Sequence, residues 1–215
     1  MALTESKSAV LSDFLAWELD KNFCREAVTV LSGQNLLIGA VVGKVAAGSL
    51  SESHAGNTGS GAMSGLAAAA GVQPGVYTVQ MVRPVTDLGD FMVYDPKGDF
   101  VAWGTVGTAF SNQIGFTIAD ATDFVAGDKF LVTVAAGTGK VKEYNPSNTD
   151  GSGTPVGIAI AGYDASGGDK KGVIIVRSAI VKSDYLVWFS GASAGQKTAA
   201  LAILKNAGIL AQTSV

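Results

Sequence analysis

Short runs in which apolar and polar residues alternate dominate the chain and predict a protein built mainly from β-strands. Residues 25–31 and 38–45 are rich in β-branched side chains, and six further runs follow between residues 77 and 134. Apolar residues at every second position form one face of a strand, as in a half-buried sheet. Turn residues at 96–98 and 126–128 separate some of these runs. Residues 77–134 are therefore expected to form a small β-sandwich or barrel.

Two stretches of small residues flank this β-rich segment. Residues 46–71 consist almost entirely of Gly, Ala, Ser, Thr and Asn, and 135–139 are similar. This composition is typical of linkers and long surface loops. Domain insertion succeeds where two chain ends lie close together on a surface loop. We therefore predict an inserted β domain at 54–138, within one discontinuous domain formed by 21–53 and 139–215.

The sequence predicts one well-defined helix, close to the C-terminus. Ser193 and Gln196 have the spacing of a capping box, and Gly208 stands where a glycine commonly follows a helix end. Strand patterns precede this helix at 156–160 and 173–181. The predicted fold class is mainly β with little helix: a small β-rich domain with a C-terminal helix, plus an inserted β-sandwich-like or barrel-like domain.

The N-terminal 20 residues combine a polar beginning with large apolar side chains. Leu11, Phe14, Leu15 and Leu19 fit a helical stripe, and an arm that becomes ordered on a partner fits the same sequence. Large apolar side chains are costly to leave uncovered, so Leu11, Phe14, Leu15 and Trp17 are the predicted binding residues of this segment. Packing of Phe14 and Trp17 on the protein's own core is the alternative.

Composition and charge narrow the function classes. The 215 residues carry a formal net charge of −3, and Lys and Arg form no cluster. Nucleic-acid binders neutralise phosphates with basic patches, so direct binding of DNA or RNA is not expected. No apolar run approaches the roughly 20 residues that span a bilayer, and no secretory signal is recognisable. With the single cysteine Cys24, these features indicate a soluble protein made in a cytoplasm, with no internal disulfide and no membrane contact.

Patterns that carry catalysis or bind metals are missing from the sequence. The one histidine, His54, is expected to be a solvated loop residue, and Cys24 a small buried hydrophobe. Gly137–Lys140 lacks the first glycine and the final Ser/Thr of a phosphate-binding loop. Two groups of oxygen ligands lack the spacing of a calcium-binding EF-hand, so turn formation is their expected role. These groups are Asp120, Asp123 and Asp128, and Asn145, Asn148 and Asp150. We predict no enzyme activity, no cofactor and no metal site.

Aromatic residues are candidates for stacking on sugars or bases. Trp103 and Trp188 lie inside apolar runs, where packing in a core is the expected role, whereas Trp17 is expected to contact a partner.

Several segments, in one order along the chain, carry a family resemblance. They are Ser12–Glu18 with Arg25–Val30 and Gly39–Val45, then Pro155–Ala159, then Gly172–Ala179, and last Leu186–Gly191 leading into Gln196–Leu210. In this order they resemble the lambda-type head decoration (capsid-stabilising) protein family, across residues 12–53 and 139–215. Phe189 stands where the family often has a proline, and 54–138 has no counterpart in the minimal members.

The resemblance implies a structural protein on the outside of a tailed-phage head. Such proteins form trimers at local threefold sites of the expanded capsid and clamp the major capsid protein against the pressure of packaged DNA. Their N-terminal arms pair with capsid strands. For this chain, that implies a capsid-binding arm at 1–20 with Leu11, Phe14, Leu15 and Trp17 as contacts. The implied partners are the major capsid protein and further copies of the chain, and the implied location is the virion surface.

A second function class stays open for the predicted insertion. Residues 54–138, displayed outward, would suit a host-surface or carbohydrate-adhesion module. Exposed aromatic residues on one sheet face favour that function, and burial of Trp103 and Tyr77 counts against it. A hydrolase, the third class, lacks a Ser/His/Asp arrangement or paired carboxylates.

Overall fold

The computed structural model describes residues 9–69, 71–85, 88–119 and 123–213, which divide into two compact units. The first unit comprises the described residues of Met1–Lys44, Gly139–Pro146 and Thr154–Val215, and the second those of Val45–Thr138 and Ser147–Gly153. The second unit thus begins earlier than the predicted insertion at 54–138. That residues 54–138 fold independently and project outward stays a prediction.

The predicted fold class, mainly β with a C-terminal helix, is confirmed. Helices α1, α2 and α3 span Leu11–Phe14, Lys21–Cys24 and Ala194–Asn206, and a 3-10 turn spans Ser183–Tyr185. The strands β1 to β9 are Leu15–Glu18, Arg25–Val30, Asn35–Leu36, Val41–Lys44, Ala47–Ser53, Met63–Ala68, Gly75–Val85, Leu88–Tyr94 and Phe100–Thr105. The strands β10 to β18 are Phe110–Ser111, Ile114–Ile118, Lys129–Ala136, Val141–Glu143, Pro155–Ala159, Tyr163–Asp164, Lys170–Ile175, Ala179–Lys182 and Ile209–Gln212.

A closed barrel with the strand order β13-β2-β16-β14-β4 forms the centre of the first unit. Its β-branched side chains, among them Val30, Val42, Val141 and Ile174, are buried together. Closure leaves no barrel strand with an unpaired edge, which protects the barrel from unwanted strand pairing.

A second sheet in the first unit has the order β1-β17-β18 and shares a core with helix α3. The predicted capping box is present: Ser193 Oγ accepts from the Gln196 backbone N–H, and the Gln196 side chain accepts from the Ser193 N–H. Gly208, with φ +79°, follows the helix end as predicted. Ala200 and Leu204 of α3 are buried against the sheet with Ile209.

Two sheets, with the orders β5-β12-β7-β8-β9 and β10-β11-β6, make up the second unit. Their inward side chains meet in one hydrophobic core, to which the first sheet contributes Tyr77, Phe91 and Phe130 and the second Ile114 and Phe116. Most of the alternating runs between residues 77 and 134 correspond to these strands, and within residues 106–110 only Phe110 belongs to a strand.

Residues 46–71 correct the expectation of a linker or loop, because β5 and β6 both lie in this stretch. Its small residues reflect close packing. A Cβ atom on Gly59 would lie 2.4 Å from the Phe124 ring, and one on Gly61 would lie 2.2 Å from the Ala119 carbonyl oxygen. Low side-chain volume is thus required where this segment passes over a buried aromatic ring.

Candidate functional site

The N-terminal segment is folded onto the first unit from residue 10 onward; residues 1–8 of the predicted arm lie outside the described residues. Phe14 closes the single turn of α1 and is only 2% exposed. Leu11 and Leu15 are half-buried against the same core, which includes Val181 and Ile209. Three of the four predicted binding residues thus pack wholly or partly on the protein itself.

Strand β1 holds this segment in place by pairing antiparallel with β17, with Leu15 opposite Val181 and Glu18 opposite Ala179. Arg25 donates two hydrogen bonds to the Glu18 carboxylate, from Nε at 2.9 Å and from Nη2 at 2.5 Å. These bonds raise the pKa of Arg25 above its ordinary value. A bidentate pair of this kind fixes the orientation of both side chains.

Trp17 differs from the other three predicted residues because half of its surface, 50%, is exposed. Val10, Leu19 and Phe23 are also large, apolar and exposed in this part of the chain. We refer to Val10, Trp17, Leu19 and Phe23 as the exposed N-terminal quartet. Such residues favour contact with a partner, since each leaves apolar area in water.

Sequence reasoning missed Phe23 and Leu37 as candidate contacts. Phe23 lies just before β2 and holds the Arg177 guanidinium 5.3 Å from its ring centroid. Leu37 is exposed in the turn between β3 and β4 and lines an apolar groove of about 590 Å³ with Ala9, Ile38 and Val187. An aromatic residue directly before a predicted strand was the available signal for Phe23, whereas nothing in the pattern distinguishes Leu37.

The residues considered for catalysis are engaged in structural contacts. The Cys24 thiol is buried and donates to the Ser178 carbonyl oxygen at 3.3 Å. His54 Nδ1 lies 2.9 Å from Glu52 Oε2, and its ring packs on Phe130. The Lys140 ammonium lies 2.5 Å from Asp169. Among the described residues, no cluster of three or more His, Cys, Asp or Glu side chains could hold a metal ion. No helix in these ranges is long and apolar enough to cross a membrane.

Among the aspartates and asparagines considered for calcium, Asp128 and Asp150 accept hydrogen bonds from nearby loop residues, and Asp120 lies outside the described residues. Asp128 accepts from the backbone N–H groups of Thr58 and Gly59 at 3.0 Å each and of Val125 at 3.1 Å. Burial alone would raise the pKa of Asp128, but these three hydrogen bonds lower it below its ordinary value. In the other group, Asp150 accepts from the backbone and hydroxyl of Ser152.

Of the two tryptophans expected to pack in a core, only Trp188 does so, and Trp103 is exposed. Trp188 packs beside Tyr144 in the core of the first unit, as predicted. Trp103 was expected in a core and is 48% exposed, which corrects that prediction. Tyr77 is fully buried, and its hydroxyl accepts from the Gln73 backbone N–H and donates to Gln113.

Comparisons with known proteins identify one family. Residues 2–209 match the family described as "Bacteriophage lambda head decoration protein D". No curated protein matches the chain.

Two crystal structures of Xanthomonas campestris FlgL show a partial likeness. The first is 22% identical, with a TM-score of 0.33, and the match covers 49% of this chain and 34% of the FlgL chain. The second is 20% identical, with a TM-score of 0.30, and the match covers 54% of this chain and 33% of the FlgL chain. The chain thus spans about a third of the length of FlgL. TM-scores this low do not indicate a shared fold.

Proposed function

Because the chain belongs to the bacteriophage lambda head decoration protein D family, we propose that it binds the expanded capsid as a homotrimer at local threefold sites. We propose the exposed N-terminal quartet as the surface that contacts the capsid. Membership in the family makes it a structural, non-enzymatic protein of the outer capsid surface, where it decorates and stabilises the head. The trimer and its sites are the parts that we propose.

The exposure of Trp17 carries the assignment of the binding surface. Its neighbours Phe14 and Leu15 pack in the core and sheet of the first unit, which supports a binding surface that is ordered before a partner arrives. A preordered surface loses less conformational freedom on binding than an arm that must fold. A cyclic trimer matches the symmetry of a threefold site, and three linked surfaces raise the effective concentration of each contact.

Replacing Trp17 by alanine is expected to weaken binding to empty expanded capsids by at least about tenfold, since burial of a large side chain contributes roughly 1.5–3 kcal/mol. The measurement is the amount of purified chain that co-sediments with capsids at increasing concentration. The matched control is Trp103→Ala, which removes an equally exposed tryptophan from the second unit. Equal binding by the two variants would contradict the role of Trp17.

Deleting residues 45–138 is expected to leave a protein that folds and still adds to capsids with an affinity within about threefold of the full chain. Lys44 and Val141 are paired partners on β4 and β13, and Gly139 has φ +72°. Joining Lys44 to Gly139 therefore connects β4 to β13 through a two-residue hairpin loop, Gly139-Lys140. Gly139 supplies the positive φ that such a short loop requires at its first residue. The measurements are circular dichroism and capsid co-sedimentation.

The small-residue flanks alone favour a different deletion, Gly56–Gly137, as one that still binds capsids, but the strand order indicates that this variant will aggregate. It retains β5, whose partner in the sheet is β12, and thus exposes an unpaired strand. If the 45–138 deletion also fails to fold, the two units depend on each other for stability, and the proposed independence of the insertion is wrong.

A second role, adhesion to a host surface through residues 54–138, is favoured by one specific observation. Phe100 and Trp103 are both about half exposed on one strand, β9. The burial of Tyr77 removes that residue from consideration but leaves these two aromatic rings available.

A further inference from the structure

An aromatic surface lies on β8 and β9 of the second unit, at the β9 edge of the five-stranded sheet. Tyr94, Phe100 and Trp103 form a continuous row, in which the ring centroids of Tyr94 and Phe100, and those of Phe100 and Trp103, are 6.3 Å apart. We refer to these three residues as the aromatic row. Phe100 is 49% exposed, and large apolar residues grouped in this way commonly mark an interaction site.

The exposure of Trp103 is imposed by the fold. In the register of β8 with β9, Met92 is opposite Trp103 and the buried Phe91 is opposite Gly104. A Cβ atom on Gly104 would lie 2.3 Å from the Phe91 ring, so this inward position must be a glycine for Phe91 to fill the core. Successive residues of a strand point to opposite faces, and Trp103 is therefore directed away from the core.

Polar groups of balanced charge lie beside the aromatic row. The Arg83 guanidinium carbon is 5.0 Å from the Trp103 ring centroid, and Arg83 Nε is 3.9 Å from Asp90 Oδ2. Thr105 Oγ1 donates to the other oxygen of the same carboxylate at 3.2 Å. Hydrogen-bond donors and an acceptor thus lie next to the half-exposed rings of Phe100 and Trp103, and Arg83 and Asp90 contribute one positive and one negative charge.

We propose that the aromatic row, with Arg83 and Asp90, binds a neutral carbohydrate. A sugar ring presents C–H groups that pack on the electron-rich faces of aromatic rings, and its hydroxyls both donate and accept hydrogen bonds. The paired charges of Arg83 and Asp90 suit hydroxyl groups and leave no surplus positive charge for a phosphate or sulfate polymer. The rings are inclined by 73° and 63° to their neighbours, which does not suit parallel stacking of successive bases.

This inference gives the second proposed role a binding site and a ligand class, and it does not depend on capsid binding. The test uses the full chain and an immobilised panel of neutral oligosaccharides of glucose, galactose, mannose and N-acetylglucosamine. Titration calorimetry with the free oligosaccharide then follows for any that binds. We expect a Kd of about 1 mM or tighter for at least one of them.

Trp103→Ala and Phe100→Ala are each expected to weaken that binding by about tenfold or more, with melting close to that of the wild type because both side chains are half exposed. Asp90→Asn, which preserves the aromatic row, is expected to weaken it by about fivefold through loss of the charged acceptor. The matched control is Trp17→Ala, which should bind the sugar normally while it loses capsid affinity.

Three outcomes would overturn the proposal. The wild-type chain could bind no member of the panel, or its binding could be unchanged in Trp103→Ala and Phe100→Ala. Alternatively, Trp103→Ala could abolish self-association of the chain with no effect on sugar, which would make the aromatic row and the β9 edge a protein contact. Failure of capsid binding with intact, Trp103-dependent sugar binding would count against the proposed decoration surface alone.

Discussion

Replacing Phe14 by alanine is expected to lower the free energy of unfolding of the first unit by about 3–5 kcal/mol. The ring is almost fully buried among Val181, Leu204 and Ile209, and Gly39 packs directly against it. Alanine would leave a cavity that the neighbouring sheet and helix α3 cannot close, because both are held by their own hydrogen bonds. For a domain of this size, the loss is a large part of the total stability.

Hydrogen exchange of the amides in β14 and β16 measures this effect in the full chain, since it reports on the first unit separately from the second. Trp17→Ala is the control and is expected to change the same exchange by less than about 1 kcal/mol. A Phe14→Ala protein with normal exchange but no affinity for capsids would show that Phe14 is a capsid contact, as the sequence pattern suggested.

Replacing Asp128 by alanine is expected to lower the free energy of unfolding of the second unit by about 2–4 kcal/mol. The carboxylate accepts three hydrogen bonds from the backbone N–H groups of Thr58, Gly59 and Val125, and thereby ties the segment between β5 and β6 to the turn before β12. Alanine leaves all three donors without their acceptor, and Gly59 is buried where water does not replace it.

The same carboxylate makes the second unit sensitive to acid. The hydrogen bonds hold the pKa of Asp128 in the folded protein below its ordinary value, so the contribution of Asp128 to stability is fully present above the unfolded pKa of about 3.9. That contribution is lost as the pH falls through the folded pKa. Stability of the second unit, followed by exchange in β7 and β12 from pH 7 to pH 3, should fall more in the wild type than in Asp128→Asn. Parallel pH curves would contradict this role.

The sequence predicts those elements whose reasons are local. Strands β7, β8, β11 and β12 follow from period-two alternation, because each has one face on the core. Helix α3 follows from a capping box and a glycine, both of which act within a few residues. The fold class and the family resemblance rest on signals of this kind.

Other features depend on contacts between distant residues and were not predictable from the sequence. The small residues of 46–71 form strands because β5 pairs with β12 and β6 pairs with β11, and a single-sequence pattern does not show those partners. Trp103 is exposed because its neighbour Gly104 takes the inward position on β9, where the Phe91 side chain of the adjacent strand fills the core. Phe14 and Trp17 have similar apolar character, and only the fold distinguishes them: Phe14 ends α1 in the core, whereas Trp17 lies on β1, opposite Ile180 of β17, and is half exposed.

The pairing of β4 with β13 also has a consequence for the order of folding. Closing a flexible loop of roughly 100 residues costs about 4 kcal/mol in chain entropy, and residues 45–138 form such a loop between Lys44 and Val141. Within the second unit, the Gly137 N–H donates to the Ala46 carbonyl oxygen at 2.9 Å, so a folded second unit brings its own ends together. The ribosome also completes residues 45–138 before β13. Residues 45–138 of the second unit should therefore fold first, and the barrel should then form from strands whose chain ends are already adjacent.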